Sequence, residues 1–414
     1  SAGILELVYF WGFGMKVLHF PSRASFVALF GCVFLAMSAL QAQAQVRTIS
    51  QVAAVGVNGI TNLVGDTITI QMTFSGNVWV SNGVPYIELH LTNSGQSVTG
   101  VAWYVAGSDG DAILDFRYTV DPGHLTTELN YYSVDSLILT NDTYIGNEVL
   151  ANKTLPALGS GNDLGNDSRR VNGLAPIRVM STNAASTTYT VGDNIRVGLV
   201  FPDTVYVNTN GGAPTLTLAT AGLANRAALW TNVGDGTATQ YFDYAVQAGD
   251  YGNPLNYVSV DSLALNGATI TNDYGFPVAG NNVKLPLTNS ANALSSANLF
   301  VSAPMVTNVT STNDNGIYPL GSASNIAVFV QFSEPVVYLN GSPTLTLATT
   351  GFTNRIAICE TTLGSYTQSM RFRYQIQPGD NSPDLDYLST VSLEGFVRGF
   401  NGSISANQTL PAPG

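Results

Sequence analysis

One motif occurs three times at a nearly fixed interval. Phe116-Arg-Tyr-Thr-Val-Asp-Pro-Gly123 returns as Phe242-Asp-Tyr-Ala-Val-Gln-Ala-Gly249 and as Phe372-Arg-Tyr-Gln-Ile-Gln-Pro-Gly379, 126 and then 130 residues further on. Other landmarks keep the same beat. Pro85-Tyr-Ile-Glu-Leu, Pro214-Thr-Leu-Thr-Leu and Pro343-Thr-Leu-Thr-Leu lie 129 residues apart at each step. Leu129-Asn-Tyr131, Leu255-Asn-Tyr257 and Leu385-Asp-Tyr387 follow each Phe-x-Tyr run, and Leu155-Pro, Leu285-Pro and Leu410-Pro close each copy. A period this long is the size of a domain, so the chain must fold as tandem copies of one unit and not as a short-repeat solenoid.

Within a unit the hydrophobic period is two. Ile68, Ile70, Met72 and Phe74 alternate with Thr67, Thr69, Gln71 and Thr73, and Leu114, Phe116, Tyr118 and Val120 alternate in the same way. Each alternation makes a strand with one buried face. Gly, Asn and Pro clusters interrupt the chain at short intervals, and no stretch after residue 45 carries a helical period. Six to eight short strands in about 128 residues is the pattern of an antiparallel β-sandwich. The expected fold is all-β: three tandem immunoglobulin-like antiparallel β-sandwich domains after an N-terminal signal peptide.

The recurrent Ala175-Pro176 and Ala303-Pro304, each preceded by Asn/Ser/Gly-rich chain, divide the sequence into units at 45–175, 176–303 and 304–414. The short linkers predict domains set end to end. In the first two units the Leu-Pro segment is followed by another strand's worth of chain, whereas the third stops at Gly414. That reads as a piece of a longer repeat array, or as a sandwich edge open to a partner strand.

Met15-Lys-Val-Leu-His-Phe-Pro-Ser-Arg23 is a basic start, residues 24–40 are mostly apolar, and Ala42-Gln-Ala44 has the small-x-small pattern of a cleavage site. Residues 15–44 therefore read as a secretory signal peptide cut after Ala44, with no membrane span left after cleavage. Residues 1–14 precede a plausible initiator Met and read as upstream read-through. The implied location is secreted or cell-surface.

The formal charge is −12, and only 10% of residues are charged. Nucleic acid is excluded as a partner, because phosphate recognition needs a basic face. The two cysteines are Cys32, inside the apolar leader, and Cys359. The mature chain thus has no disulfide to form, and packing must hold its domains.

The run of Val-Gly-Asp-x-Ile, Phe332-Ser-Glu-Pro-Val336, Pro-Thr-Leu-Thr-Leu, Tyr-x-Val-Gln-x-Gly-Asp and Leu-Pro-Ala-Pro-Gly resembles the bacterial immunoglobulin-like repeats of large secreted adhesins and surface-layer proteins. The resemblance covers residues 46–414. It implies export, a spacer or adhesive role, and calcium at loops or interdomain joints. The sequence departs from the pattern at Glu334, which is Gly76 in the first copy and Asp203 in the second.

Calcium takes six to eight oxygens, so Asp380, Asp384 and Asp386 form a candidate partial metal site in the third unit. The alternative is a turn in which Asx side chains bond backbone N–H groups. Ser108-Asp109-Gly-Asp111 also looks like a calcium loop, and equally like a hairpin turn. Gly159-Ser-Gly-Asn-Asp163-Leu-Gly-Asn-Asp167 resembles a single calcium-binding nonapeptide, but such rolls need stacked copies, and an Asn/Gly linker is the simpler reading. No cofactor is required by any motif; calcium is the one candidate.

Catalytic motifs are missing from the sequence: it has no Gly-x-Ser-x-Gly, His-Glu-x-x-His, phosphate loop or Cys/His cluster. The expectation is a protein that is not an enzyme. It is read as an exported spacer or adhesive stalk whose partners are a surface glycan or protein and further repeats of the same chain. The alternative is a carbohydrate-binding array, for which Trp79, Trp103 and Trp230 are the candidate rings. A polysaccharide-acting enzyme ranks last. The position of Tyr104 and Trp230 reads as Glu360 in the third unit, and Tyr131, Tyr257 and Tyr387 read as buried rings with hydroxyls bonded to backbone.

Overall fold

The computed structural model describes residues 5–10, 15–20 and 45–414, apart from 94–95, 221, 322–324 and 350–352. Leu5–Phe10 and Met15–Phe20 form an antiparallel two-stranded pair. The rest of the expected signal, 21–44, lies outside the described residues.

From Thr48 onward the chain is nearly all strand and turn. The first unit shows why. Alternation over Thr67–Phe74 puts Ile68, Ile70, Met72 and Phe74 on one buried face, and alternation over Ile113–Thr119 does the same for Leu114, Phe116 and Tyr118. With Ile49–Ala54 these strands make one layer. Gln96–Tyr104, Tyr86–Asn93 and Leu125–Tyr131 make the facing layer, carrying Ala102, Ile87, Leu89, Leu129 and Tyr131 into the same core. Arg170–Asn172 extends the second layer and pairs in parallel with Thr61–Leu63. Each fully buried Phe or Leu contributes about 2 kcal/mol of transfer free energy, so the alternation is what drives the two layers together.

The layers are joined at one corner, and the corner recurs. Between the strands on either side of it, only two residue pairs persist: Trp103↔Arg117 with Tyr104↔Phe116, then Leu229↔Asp243 with Trp230↔Phe242, then Ile358↔Arg373 with Cys359↔Phe372. The third-unit equivalent of Tyr104 and Trp230 is therefore Cys359, not Glu360. Glu360 sits one residue beyond the corner and pairs with Arg373 at 2.7 Å and Arg371 at 3.4 Å.

In the second unit the layers are Arg178–Ser181, Asn194–Asn208 and Thr237–Ala245, against Arg226–Trp230, Thr215–Ala219 and Asn256–Tyr257. In the third they are Val306–Ser311, Ile326–Val336 and Thr367–Tyr374, against Arg355–Cys359, Thr344–Ala348 and Asp386–Tyr387. The register of the long central strand slips between Val200 and Val205, and again between Gln331 and Val336. These bulges absorb Pro202 and Pro335, whose missing N–H groups a regular ladder could not tolerate. Among the described residues the first two units have twelve and eleven strands, more than the six to eight expected, because the chain between the main strands pairs in pieces of two to four residues; the third has seven.

The Asn/Gly-rich segments read as linkers are instead part of the sandwiches. Leu164–Asp167 and Leu294–Ala297 are 3-10 turns whose Leu164 and Leu294 are fully buried. Gly165 lies where a Cβ would meet the Glu128 and Asn130 side chains, so the turn is pressed flat against the sheet. Among the described residues, no helix is long and apolar enough to cross a membrane.

Candidate functional site

The three aspartates of the third-unit loop are held separately. Asp380 receives the Arg355 guanidinium on Oδ1 at 2.6 Å, and on Oδ2 the Tyr374 hydroxyl at 2.5 Å and the Gln377 amide at 2.7 Å. Burial works against its ionisation, yet the Tyr374 hydroxyl, Arg355 and the Gln377 amide together hold its carboxyl below the usual range. Asp386 accepts the Tyr387 amide at 2.7 Å and the Gly414 amide at 3.1 Å. Asp384 is exposed and enters the turn through its backbone carbonyl, which accepts the Ser382 hydroxyl. Among the described residues, no group of three or more His, Cys, Asp or Glu side chains is arranged to hold a metal ion.

The same site in the other units explains its logic. Asp250 repeats the Asp380 arrangement: Arg226 at 2.7 Å, the Tyr244 hydroxyl at 2.6 Å and the Gln247 amide at 2.9 Å. In the first unit His124 takes the aspartate's place, with its Nδ1 2.9 Å from the Tyr118 hydroxyl. There the residue in the arginine's register is Gly100, paired with Leu89 as Arg226 is with Leu218 and Arg355 with Leu347. Charge is thus removed from both partners at once, while the tyrosine keeps its hydrogen bond. The Asx column is equally constant: Asn130, Asn256 and Asp386 each accept the amide of the next residue, Tyr131, Tyr257 or Tyr387.

The other acidic loops are structural in the same way. Asp109 accepts the Val80 amide at 3.0 Å and the Tyr104 hydroxyl at 2.9 Å, and Asp235 accepts the Val207 amide at 2.8 Å in the second unit. The Val80 amide bond is the main reason the Asp109 carboxyl is held below its ordinary range. Asp163 accepts the Asn130 amide nitrogen, and Asp167 the Ala54 backbone amide.

The three candidate tryptophans diverge. Trp230 packs against the second core and donates from Nε1 to Gln240 at 3.2 Å. Trp79 is exposed on the short strand Trp79–Ser81. Trp103 is 50% exposed on the outer face of the first sandwich, its ring centroid 5.0 Å from that of Tyr86.

The joints between units carry features that the sequence reading missed. At the first joint, the fully buried Asn282 donates to the Asn172 carbonyl at 2.9 Å and accepts the Val64 amide at 3.1 Å. Asn172 in turn donates to the Pro277 carbonyl, and the Arg170 guanidinium lies 4.7 Å from the Phe276 ring centroid. At the second joint, Phe300 stacks on Phe400 at 5.2 Å, and Ser302 donates to Glu334 Oε1 at 2.6 Å. Both joints set a 3-10 turn of the downstream unit, Gly280–Val283 or Phe400–Gly402, against the last strand of the upstream one, Arg170–Asn172 or Phe300–Ser302.

Glu334 is fully buried at the second bulge, and its Oε2 has no hydrogen-bond partner. Burial pushes its carboxyl up to about 7, against the pull of the Ser302 hydroxyl and the Phe400 backbone. The Gly399 backbone lies so close that a Cβ there would collide with Glu334 Oε1. A cleft of about 220 Å³ lined by Tyr251, Asn253, Pro335, Tyr366 and Phe400 opens beside the joint.

No protein-family model matches this chain. No curated protein matches it either. Among solved structures it is similar to the chicken CNTN1 FN1–FN3 domains, at 9% identity over 86% of this chain and 96% of that one, with a TM-score of 0.23. A DUF4785 family protein from Legionella pneumophila aligns at 10% identity over 80% of this chain and 87% of its own, with a TM-score of 0.19. Escherichia coli alpha-2-macroglobulin activated by porcine elastase aligns at 11% identity over 78% of this chain and 28% of its own, with a TM-score of 0.15.

Proposed function

We infer that this chain of immunoglobulin-like sandwiches is an exported bacterial surface or secreted repeat protein that acts as a spacer or adhesive stalk. The observation that carries the reading is the repeated joint. The same hairpin of one unit, closed by Thr271↔Pro277 or Arg398↔Ser405, seats on the same strand of the unit before it at both places where units meet: Arg170 lies over Phe276 and Asn172 donates to the Pro277 carbonyl at the first, and Phe300 stacks on Phe400 at the second. A stalk needs its domains held at a repeated setting, and buried amides bonded across the boundary at the first joint and stacked rings at the second supply that. A freely jointed array would leave these surfaces wet.

Small-angle scattering from the full chain tests it. The expected result is one elongated particle whose maximum dimension does not change with salt. A distance distribution fitted only by domains in variable orientations would sink the stalk reading. The same proposal gives the stalk no required metal, so its melting midpoint should coincide in calcium and in chelator; a rise with calcium would reveal a metal-bound folded state.

A further inference from the structure

Three copies of one backbone provide an internal control for every surface position, and one face of the first unit departs from the other two in a concerted way. Its outer sheet carries Trp103 against Tyr86, and His90 against Tyr132, whose ring centroids lie 4.9 Å apart at an edge-on 71°. Glu88 lies between the two pairs on the same strand, cross-paired with Val101. Four residues of extended strand separate Tyr86 from His90, a span of about 13 Å.

The backbone at these positions is the same in all units. Tyr132, Val258 and Leu388 donate their amides to the carbonyls of Glu88, Thr217 and Thr346 at 3.2, 3.2 and 3.0 Å. Tyr86 and Trp103 pair in the register of Thr215 with Leu229 and of Thr344 with Ile358. His90 faces Asn130 as Ala219 faces Asn256 and Ala348 faces Asp386. The sandwich therefore needs neither a ring nor a charge at any of these sites. Trp103 and Tyr132 remain 50% and 53% exposed, so little of their area serves the core.

We propose that this face of the first unit binds a neutral polysaccharide. Two aromatic pairs set along a flat sheet present apolar ring faces to the C–H sides of successive sugar rings, while Glu88 and the His90 ring between and beside them meet hydroxyl groups. The span suits an extended oligomer and not a single sugar. Glu88 in the middle and the chain's net charge of −12 set it against anionic glycans. This gives the stalk reading an adhesive face; polysaccharide binding and joint rigidity are measured separately, so either can fail alone.

The test is retention of the full chain on a panel of neutral polysaccharides (cellulose, xylan, mixed-linkage glucan, chitin), with alginate as the anionic control. Binding to at least one neutral polymer is expected. Trp103→Ala and Tyr132→Ala should each weaken it about tenfold or more, as exposed aromatic anchors do, while Trp103→Phe retains most of it. Leu229→Ala and Ile358→Ala, at the matching sites of the other units, should leave binding unchanged. Melting curves of all variants establish that folding is intact, and Tyr132→Ala serves should Trp103→Ala unfold. No retention on any neutral polymer, retention on alginate alone, or retention unaffected by both aromatic removals would overturn the proposal.

Discussion

The Tyr257 hydroxyl donates to the Pro286 carbonyl at 2.6 Å. The bond ties together two motifs of the repeat, Leu-Asx-Tyr and Leu-Pro, that stand 29 residues apart. Tyr131 makes the same bond to Pro156, and Tyr387 to Pro411 at 2.8 Å. Each ring is buried, and burial raises the phenol above its usual pKa, to about 12 for Tyr257, so all three remain donors at neutral pH. Tyr257→Phe keeps the packing but leaves the carbonyl without its partner. It should cost about 1 to 2 kcal/mol by denaturant titration; no loss would mean that water replaces the hydroxyl.

The Arg/Asp pair of the second and third units is replaced as a pair in the first. Asp380→Ala strands Arg355 and the Tyr374 hydroxyl in partial burial, and should cost the third unit about 3 kcal/mol. Arg355→Gly with Asp380→His copies the first unit's solution and should cost clearly less than the sum of the single changes. A double-mutant cycle reads the difference, and additivity would refute the coupling. The depressed Asp380 pKa sets the sign with pH. Its contribution is complete above the ordinary carboxylate value, about 4, and is lost as acid protonates it below that.

The repeats, the alternating strands and the buried tyrosines were legible because each is a local pattern. What escaped the sequence depends on register. In the letters alone Glu360 falls in line with Trp230, because a one-residue offset in the loop leaves no mark there, whereas the ladder fixes Cys359 opposite Phe372. Asp380 looked like a ligand beside Asp384 and Asp386 because its partner Arg355 lies 25 residues upstream on another strand. The Asn-rich segments looked like linkers because a single buried Leu164 or Leu294 is enough to anchor them.

Glu334 makes the second joint sensitive to pH. Its carboxyl is fully buried with one oxygen unpartnered, and among the described residues no cation pairs with it: the Arg398 guanidinium is bonded to the Gly402 carbonyl at 3.2 Å, and Arg226 is taken by Asp250. An acid whose folded pKa is raised to about 7 gives its full stability below its unfolded value near 4.5 and loses it as pH rises to about 7, after which the loss is constant. The loss amounts to a few kcal/mol. Glu334→Gln should flatten this slope and raise the midpoint at pH 8. Parallel pH profiles for the two proteins would show that Glu334 is solvated.

Asn282 is the corresponding test of the first joint. Its side chain is fully buried and, among the described residues, bonds across the boundary to the Asn172 carbonyl and the Val64 amide. Asn282→Ala leaves the Asn172 carbonyl and the Val64 amide without these partners, a cost of about 1 to 3 kcal/mol each where they stay buried, which the joint escapes by opening to water. The units themselves keep their cores. The expected signature is therefore faster proteolysis near Ala175-Pro176 and a broader scattering distance distribution, with unit melting points unmoved. A lowered melting point with cleavage unchanged would place Asn282 inside the second sandwich's own stability and not at the joint.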